Sequence, residues 1–246
     1  MESVISPIVK QWGDGDRARV LLIHGLAAYS GAWWLIGSRL AAAGCTVVAP
    51  DLRGHGSSPS TEWYGFSAMS ADVASLGAGW DLIVGHSLGG PIACLVAAKD
   101  PSTRAVLLLD PFLDAPDEAF DGLVGDLLSE LDPHATAGSI AAEQPDWHAE
   151  DCFHKAVGAR LTGPYVVERC LLDNTPYHHL ELLDTLDVPV QILGSDPNHG
   201  ALFSPDAIEH VTNGSVRYRM VAGTGHSLQR ERPDVVVDTA RATLGV

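Results

Sequence analysis

Residues 82–90 read Leu-Ile-Val-Gly-His-Ser-Leu-Gly-Gly, a short apolar run followed by a serine set among glycines. A helical apolar stretch, Leu88 to Ala98, begins at once. A chain that leaves a buried strand and enters a helix through one sharp turn must hold the turning residue in strained backbone. Side chains at the flanking positions would collide with the neighbouring strand or helix, so those positions need glycine. Such a turn lifts the Ser87 hydroxyl above the edge of a sheet and sets the helix dipole beneath it. Gly-x-Ser-x-Gly alone is a weak pattern. A strand before it and a helix after it make it specific for a nucleophile elbow.

The rest of the chain supplies the sheet this turn requires. Val20 to Ile23 is a continuous apolar run and predicts a strand buried on both faces. A helix is expected over Gly31 to Ala43, with Gly44 as its C′ residue, then a strand from Cys45 to Ala49. Helix Ser67 to Leu76, strand Asp81 to Val84, and strand Arg104 to Leu109 continue the alternation. It resumes with strand Val188 to Leu193, a helix near Pro205 to His210, strand Val216 to Val221 and a closing helix from Pro233 to Leu244. This rhythm predicts an α/β fold, a mostly parallel central sheet of about 7–8 strands flanked by helices. The residues from 112 to 184 break it, offering only amphipathic stretches such as Phe120 to Leu131 and Tyr165 to Leu172. That is too long for a plain loop. The expected organisation is a core of residues 1–111 and 185–246, with a helical lid, 112–184, inserted between two core strands.

The 246 residues suit one such domain, and their formal charge of −16 disfavours nucleic acid and anionic membrane surfaces as partners. The four cysteines, Cys45, Cys94, Cys152 and Cys170, are widely spaced and predict neither a zinc site nor a disulfide framework. Cys94 lies in an apolar run and reads as a small buried hydrophobe. Met1 to Trp12 lacks a basic n-region, and no apolar window approaches bilayer length, so a cytoplasmic protein is expected, monomer or homodimer.

A serine hydroxyl needs a base to take its proton. Of 11 histidines, His226 in Gly-Thr-Gly-His-Ser follows the last strand, and loops at the carboxyl ends of parallel strands converge on one crevice. His55 reads as part of a hydrogen-bonded turn that Asp51 braces at Arg53, and His86 should point away from the nucleophile. The adjacent His178 and His179 have no carboxylate at helical spacing that would complete a metal site. For the acid that orients His226, Asp196 after the penultimate strand is favoured, giving the chain order Ser87, Asp196, His226; Asp110, at the end of Leu107-Leu108-Leu109, is its rival. Backbone N–H groups of Leu26 and Leu88 could bind an oxyanion. Trp33, Trp34, Trp147, Phe153, Tyr165 and Tyr177 could line an apolar pocket, with Trp33, Trp147, Phe153 and Tyr177 the candidate substrate contacts. Few cationic residues (Lys155, Arg160, Arg169) in the insertion argue mildly against a strongly anionic substrate such as a coenzyme A thioester.

His24-Gly25, Pro50-Asp51-Leu52-Arg53-Gly54-His55-Gly56-Ser57, Gly85 to Gly90, Gly194 to Asp196 and Gly225-His226 together resemble the α/β-hydrolase superfamily along nearly the whole chain. The resemblance implies an eight-stranded sheet with a lid after the sixth strand, although the short segment before Val20 suggests that the first antiparallel strand is absent. Gly194-Ser195-Asp196-Pro197 also departs from the commoner Gly-x-x-Asp form of the acid loop. Serine-nucleophile members are mostly esterases, lipases, lactonases and thioesterases, whereas similar dehalogenases and epoxide hydrolases carry Asp at the position of Ser87. The expected activity is therefore hydrolysis of a small apolar or aromatic ester or lactone through an acyl-enzyme, with no cofactor and no metal. A carbon–carbon bond hydrolase using the same residues is the alternative, and a non-turnover ligand receptor of the same fold is a third reading.

Overall fold

A computed structural model describes residues 3–115, 122, 125, 128, 131, 132 and 134–246. The expected amphipathic stretch Phe120 to Leu131 lies largely outside them. The strands are β1 (Val9–Trp12), β2 (Ala18–Ile23), β3 (Cys45–Pro50), β4 (Leu82–His86), β5 (Val106–Leu109), β6 (Val190–Gly194) and β7 (Val216–Met220). They form one seven-stranded sheet in the order β1-β3-β2-β4-β5-β6-β7. Every pairing is parallel except β1 on β3. An antiparallel edge strand is thus present, contrary to the expectation drawn from the short N-terminal segment. Val9, Lys10 and Gln11 are exposed and Trp12 only half-buried, so this strand carries no buried run by which a sequence could betray it.

Side chains alternate across the sheet and build a core on each face. Leu21 and Ile23 of β2 pack with Ile83, Ile92 and Leu108 on one side, while Val20 and Leu22 pack with Leu40, Val84 and Leu107 on the other. The covering helices are α1 (Trp34–Ala42), α2 (Phe66–Ala74), α3 (Gly89–Lys99) and, at the C-terminal end, the short α8 (Leu228–Glu231) and α9 (Pro233–Leu244). Pro205–His210 closes as a 3₁₀ turn rather than a full helix. Between β5 and β6 the described elements are all helical: α4 (Ala137–Glu143), α5 (Ala149–Leu161), α6 (Pro164–Leu172) and α7 (Glu181–Asp184). Thr136 and Ser139 form a reciprocal capping box at the start of α4. Among the described residues, no helix is long and apolar enough to cross a membrane.

Two polar devices fix the loops under the site. Asp51 accepts from the Ser30 and Ser57 N–H groups at 2.8 Å each, which braces the turn after β3. The guanidinium of Arg53 is instead held by Asp72 of α2, Nε to Oδ2 at 2.6 Å and Nη2 to Oδ1 at 2.8 Å, with both side chains buried. Removing one member strands the other charge without solvent. Asp72→Ala should therefore lower unfolding stability by about 3–5 kcal/mol, read from urea denaturation. A loss below 1 kcal/mol would show that the Arg53 bonds to the Trp63 and Ala68 carbonyls suffice alone.

Candidate active site

Ser87 joins β4 to α3 with φ of +52°, a region that non-glycine residues rarely occupy. Three backbone bonds hold it there. Its N–H donates to Leu109 O at 3.1 Å, and its carbonyl accepts from Gly90 N at 2.8 Å and Phe112 N at 3.1 Å. The glycines answer to steric need: a Cβ on Gly85 would stand 2.4 Å from Gly89 O, and one on Gly89 would stand 2.4 Å from Ile23 O. Helix α3 can approach strands β4 and β2 this closely only without those side chains.

His226 follows β7 and turns its Nδ1 to Asp110 Oδ2 at 2.6 Å. Asp110, at the carboxyl end of β5, is fully buried and has φ of +39°. Its carboxylate accepts three backbone N–H groups as well, from Ser195 (3.3 Å), Leu202 (2.9 Å) and Phe203 (3.2 Å). Asp196, the favoured candidate, is spent elsewhere. It caps a 3₁₀ turn, Pro197–His199, by accepting from Asn198 N at 2.9 Å, and it receives Gly223 N at 2.9 Å. Those two N–H donors hold its carboxyl below the ordinary carboxylate range. The geometry thus pairs His226 with Asp110 and not with Asp196. An aspartate directly before proline is the signature of such a cap, and Asp196-Pro197 carries that signal in the sequence.

The His226 loop is fixed from three sides. His86 Nε2 donates to His226 O at 2.9 Å, Ser195 Oγ donates to Gly225 O at 2.7 Å, and Gly225 N donates to Glu231 Oε2 at 2.7 Å. The His86 ring lies 4.7 Å from that of His226. Burial, reinforced by the neighbouring His226 imidazole, holds the His86 pKa well below the ordinary histidine value. His86 is therefore a neutral strut that donates from Nε2, while Gln229 Nε2 approaches its Nδ1 at 3.5 Å. Gln229 and Glu231 went unnoticed in the sequence because their roles are tertiary.

Ser87 and His226 share one cavity of about 290 Å³, with Leu26, Ala27, Leu88, Phe112, Leu171 and Leu202 among its lining. Leu26 and Leu88, whose amides were the expected oxyanion donors, both border it. Leu88 is the N-cap of α3, so its N–H falls at the positive end of that helix. The non-glycine residues with positive φ among the described residues are Ala27, Ser87 and Asp110, which follow β2, β4 and β5.

Most of the expected aromatic lining is placed elsewhere. Trp33 is buried in the core beneath α1, and Phe153 is exposed on α5. Tyr177 is buried, stacked on Phe112 at 4.0 Å, and is not part of the cavity lining. Trp147 lines an adjoining recess of about 820 Å³ that shares Lys155, Gly200, His226 and Ser227 with the first cavity. Trp34 binds Asp151 through Nε1 at 2.9 Å, and Tyr165 is exposed. His178 pairs with Asp114 at 2.8 Å and His179 meets Asn174 O at 2.9 Å. Among the described residues no cluster suits a metal ion. All four cysteines are buried free thiols, and burial pushes the Cys94 pKa up to about 12.

One cation borders the cavity from α8. Arg230 is 7 % exposed and donates from Nη1 to Ser227 Oγ at 3.0 Å. Its guanidinium carbon lies 4.9 Å from the Trp147 ring centre, and its Nε is buried without a hydrogen-bond partner. Burial pulls its pKa below the ordinary arginine value, against the field of Asp151.

Fold and site together define an α/β hydrolase. The comparisons agree. The model of the alpha/beta hydrolase family matches residues 20–239, and the chain belongs to that family. It is 37 % identical over 113 residues to lipase LipV of Mycobacterium tuberculosis, a match covering 44 % of this chain and 42 % of that protein. The chain thus spans less than half the length of that curated relative. Among solved structures, E-2-(acetamidomethylene)succinate hydrolase superposes with a TM-score of 0.81 at 21 % identity, covering 97 % of this chain and 94 % of that one. An esterase from Exiguobacterium antarcticum gives 0.78 at 15 % identity over the full length of both chains. At these identities the two structures speak for the fold alone.

Proposed function

We propose that this chain is a serine hydrolase of small carboxylic esters or lactones, acting through an acyl-enzyme on Ser87. The observation that carries the reading is one cavity bordered by a serine in strained turn geometry and by a histidine whose Nδ1 is held by a buried carboxylate. The Nδ1–H bond to Asp110 leaves Nε2 of His226 as the basic nitrogen. Ser87 Oγ attacks the carbonyl carbon and its proton passes to that Nε2. The oxyanion rests on the Leu26 and Leu88 amides. Collapse breaks the bond to the leaving alcohol, which takes the proton from Nε2; water then repeats the sequence and releases the acid. Asp110 fixes the tautomer and steadies the imidazolium.

Leu26, Phe112, Leu171 and Leu202 give the cavity apolar walls, and its volume suits a small apolar or aromatic group. Leu171 of α6 and Lys155 of α5 border it from the 112–184 insertion, which supports the lid reading. The lipase name of a similar protein favours ester chemistry. A panel of p-nitrophenyl esters of short to medium acyl chains, with lactones alongside, tests it together with a fluorophosphonate label. Many turnovers per enzyme and a single labelled peptide containing Ser87 are expected. An unlabelled serine with no turnover of any ester or lactone would overturn the reading.

A further inference from the structure

A guanidinium removed from water and given no counter-ion is a costly arrangement unless something else brings the negative charge. Arg230 comes near that position: Asp151 and Glu231 act on it through their fields, but neither stands within ion-pair distance. Among the described residues no carboxylate forms an ion pair with it, and its Nε has no partner. The two carboxylates whose fields reach it each make their hydrogen bond to another donor. Glu231 accepts Gly225 N at 2.7 Å, and Asp151 accepts Trp34 Nε1 at 2.9 Å. Trp147 and the Ser227 hydroxyl hold the guanidinium in place without neutralising it. The group borders the same 290 Å³ cavity as Ser87 and His226.

We infer that Arg230 receives a free carboxylate carried by the substrate, so that the preferred ester is a small acid-bearing one. This rests on the serine hydrolase reading above. The planar fork of an arginine matches a carboxylate in two parallel hydrogen bonds, a geometry an ammonium cannot offer. Few cations in the insertion pointed away from an anionic substrate, but the cation that matters sits four residues after His226, in the core. A cavity of this volume admits a small carboxylate.

The test compares matched pairs: p-nitrophenyl hemisuccinate against p-nitrophenyl butyrate for a carboxylate on the acyl side, and 3-acetoxybenzoate against its methyl ester for one on the alcohol side. The readout is the ratio of kcat/KM, anionic over neutral. The native enzyme should favour the anionic member of at least one pair. Arg230→Gln should lower that ratio about 10- to 100-fold, the scale of one charge-assisted pair, and Arg230→Lys should restore part of it. An equal fall for both members, or no native preference, makes Arg230 a structural clamp on Trp147 and overturns the inference. Glutarate titrated into Ser87→Ala by calorimetry separates this from the hydrolase reading. Binding that disappears in Ser87→Ala/Arg230→Gln supports the carboxylate site even if no ester is turned over. Absence of glutarate binding alongside normal hydrolysis of neutral esters sinks the carboxylate site and leaves the hydrolase standing.

Discussion

Asp110→Asn should cost about 10⁴ in kcat, the scale seen when the orienting acid of a Ser-His-Asp site is made an amide. The physical reason is a shortage of acceptors. Oδ2 of Asp110 takes both His226 Nδ1 and Leu202 N, while Oδ1 takes Ser195 N and Phe203 N. An asparagine has one oxygen for these four donors. If its NH₂ faces His226, the imidazole must present a lone pair at Nδ1, and Nε2 then carries the proton it should be accepting. If the oxygen faces His226 instead, the NH₂ is driven against the Ser195 and Phe203 N–H groups. That leaves buried donors unsatisfied at about 1–3 kcal/mol each. Asp196→Asn should change kcat only a few-fold, since its carboxylate organises a loop through Asn198 and Gly223. Steady-state kinetics on both variants, with thermal melts as a folding control, decides the matter. Equal losses at the two positions would remove Asp110 from its proposed role.

Ser87→Ala should abolish turnover, by about 10⁶ in kcat as judged from serine removal in enzymes of this mechanism. It should leave the melting temperature nearly unchanged. Alanine keeps the Cβ, so the strain at φ +52° is the same in both proteins, and the bonds to Leu109, Gly90 and Phe112 are made by backbone atoms. The variant should also lose the fluorophosphonate adduct. A Ser87→Ala protein that still hydrolyses esters at the native rate would end the case for a covalent intermediate.

The readable parts of this chain are those whose signal is local. The closing helix was expected from Pro233 to Leu244 and spans those residues, because proline at its start and a regular apolar stripe are visible without partners. Gly44 caps α1 at φ of +93°, as its place after the apolar spacing suggests. The glycines around Ser87 announce a close approach of strand and helix before any strand order is known. Choosing the partner of His226 is a different problem. Asp110 and Asp196 follow adjacent parallel strands, and both satisfy the chain order serine, acid, histidine. What separates them is which carboxylate the Ser195, Leu202 and Phe203 amides surround, and that follows from tertiary packing. The aromatic lining failed for a related reason. Trp33, Phe153 and Tyr177 have the right chemistry for a pocket, but a lone aromatic carries no mark of whether it faces a cavity, a core or solvent. Arg230 escaped notice because its burial beside the cavity can be seen only once its neighbours are known.

Ala27, Ser87 and Asp110 share an uncommon backbone conformation at the ends of three strands. Each would be relaxed by glycine, and at two of them glycine would erase the side chain that the proposed chemistry uses. A laboratory lineage selected for heat resistance alone, with no demand for turnover, would find relief at these positions and drift toward a sturdier, inert protein. Thermal hardening of this scaffold has to be sought instead in the exposed β1 edge and the outer helices, where no such conflict between durability and chemistry exists.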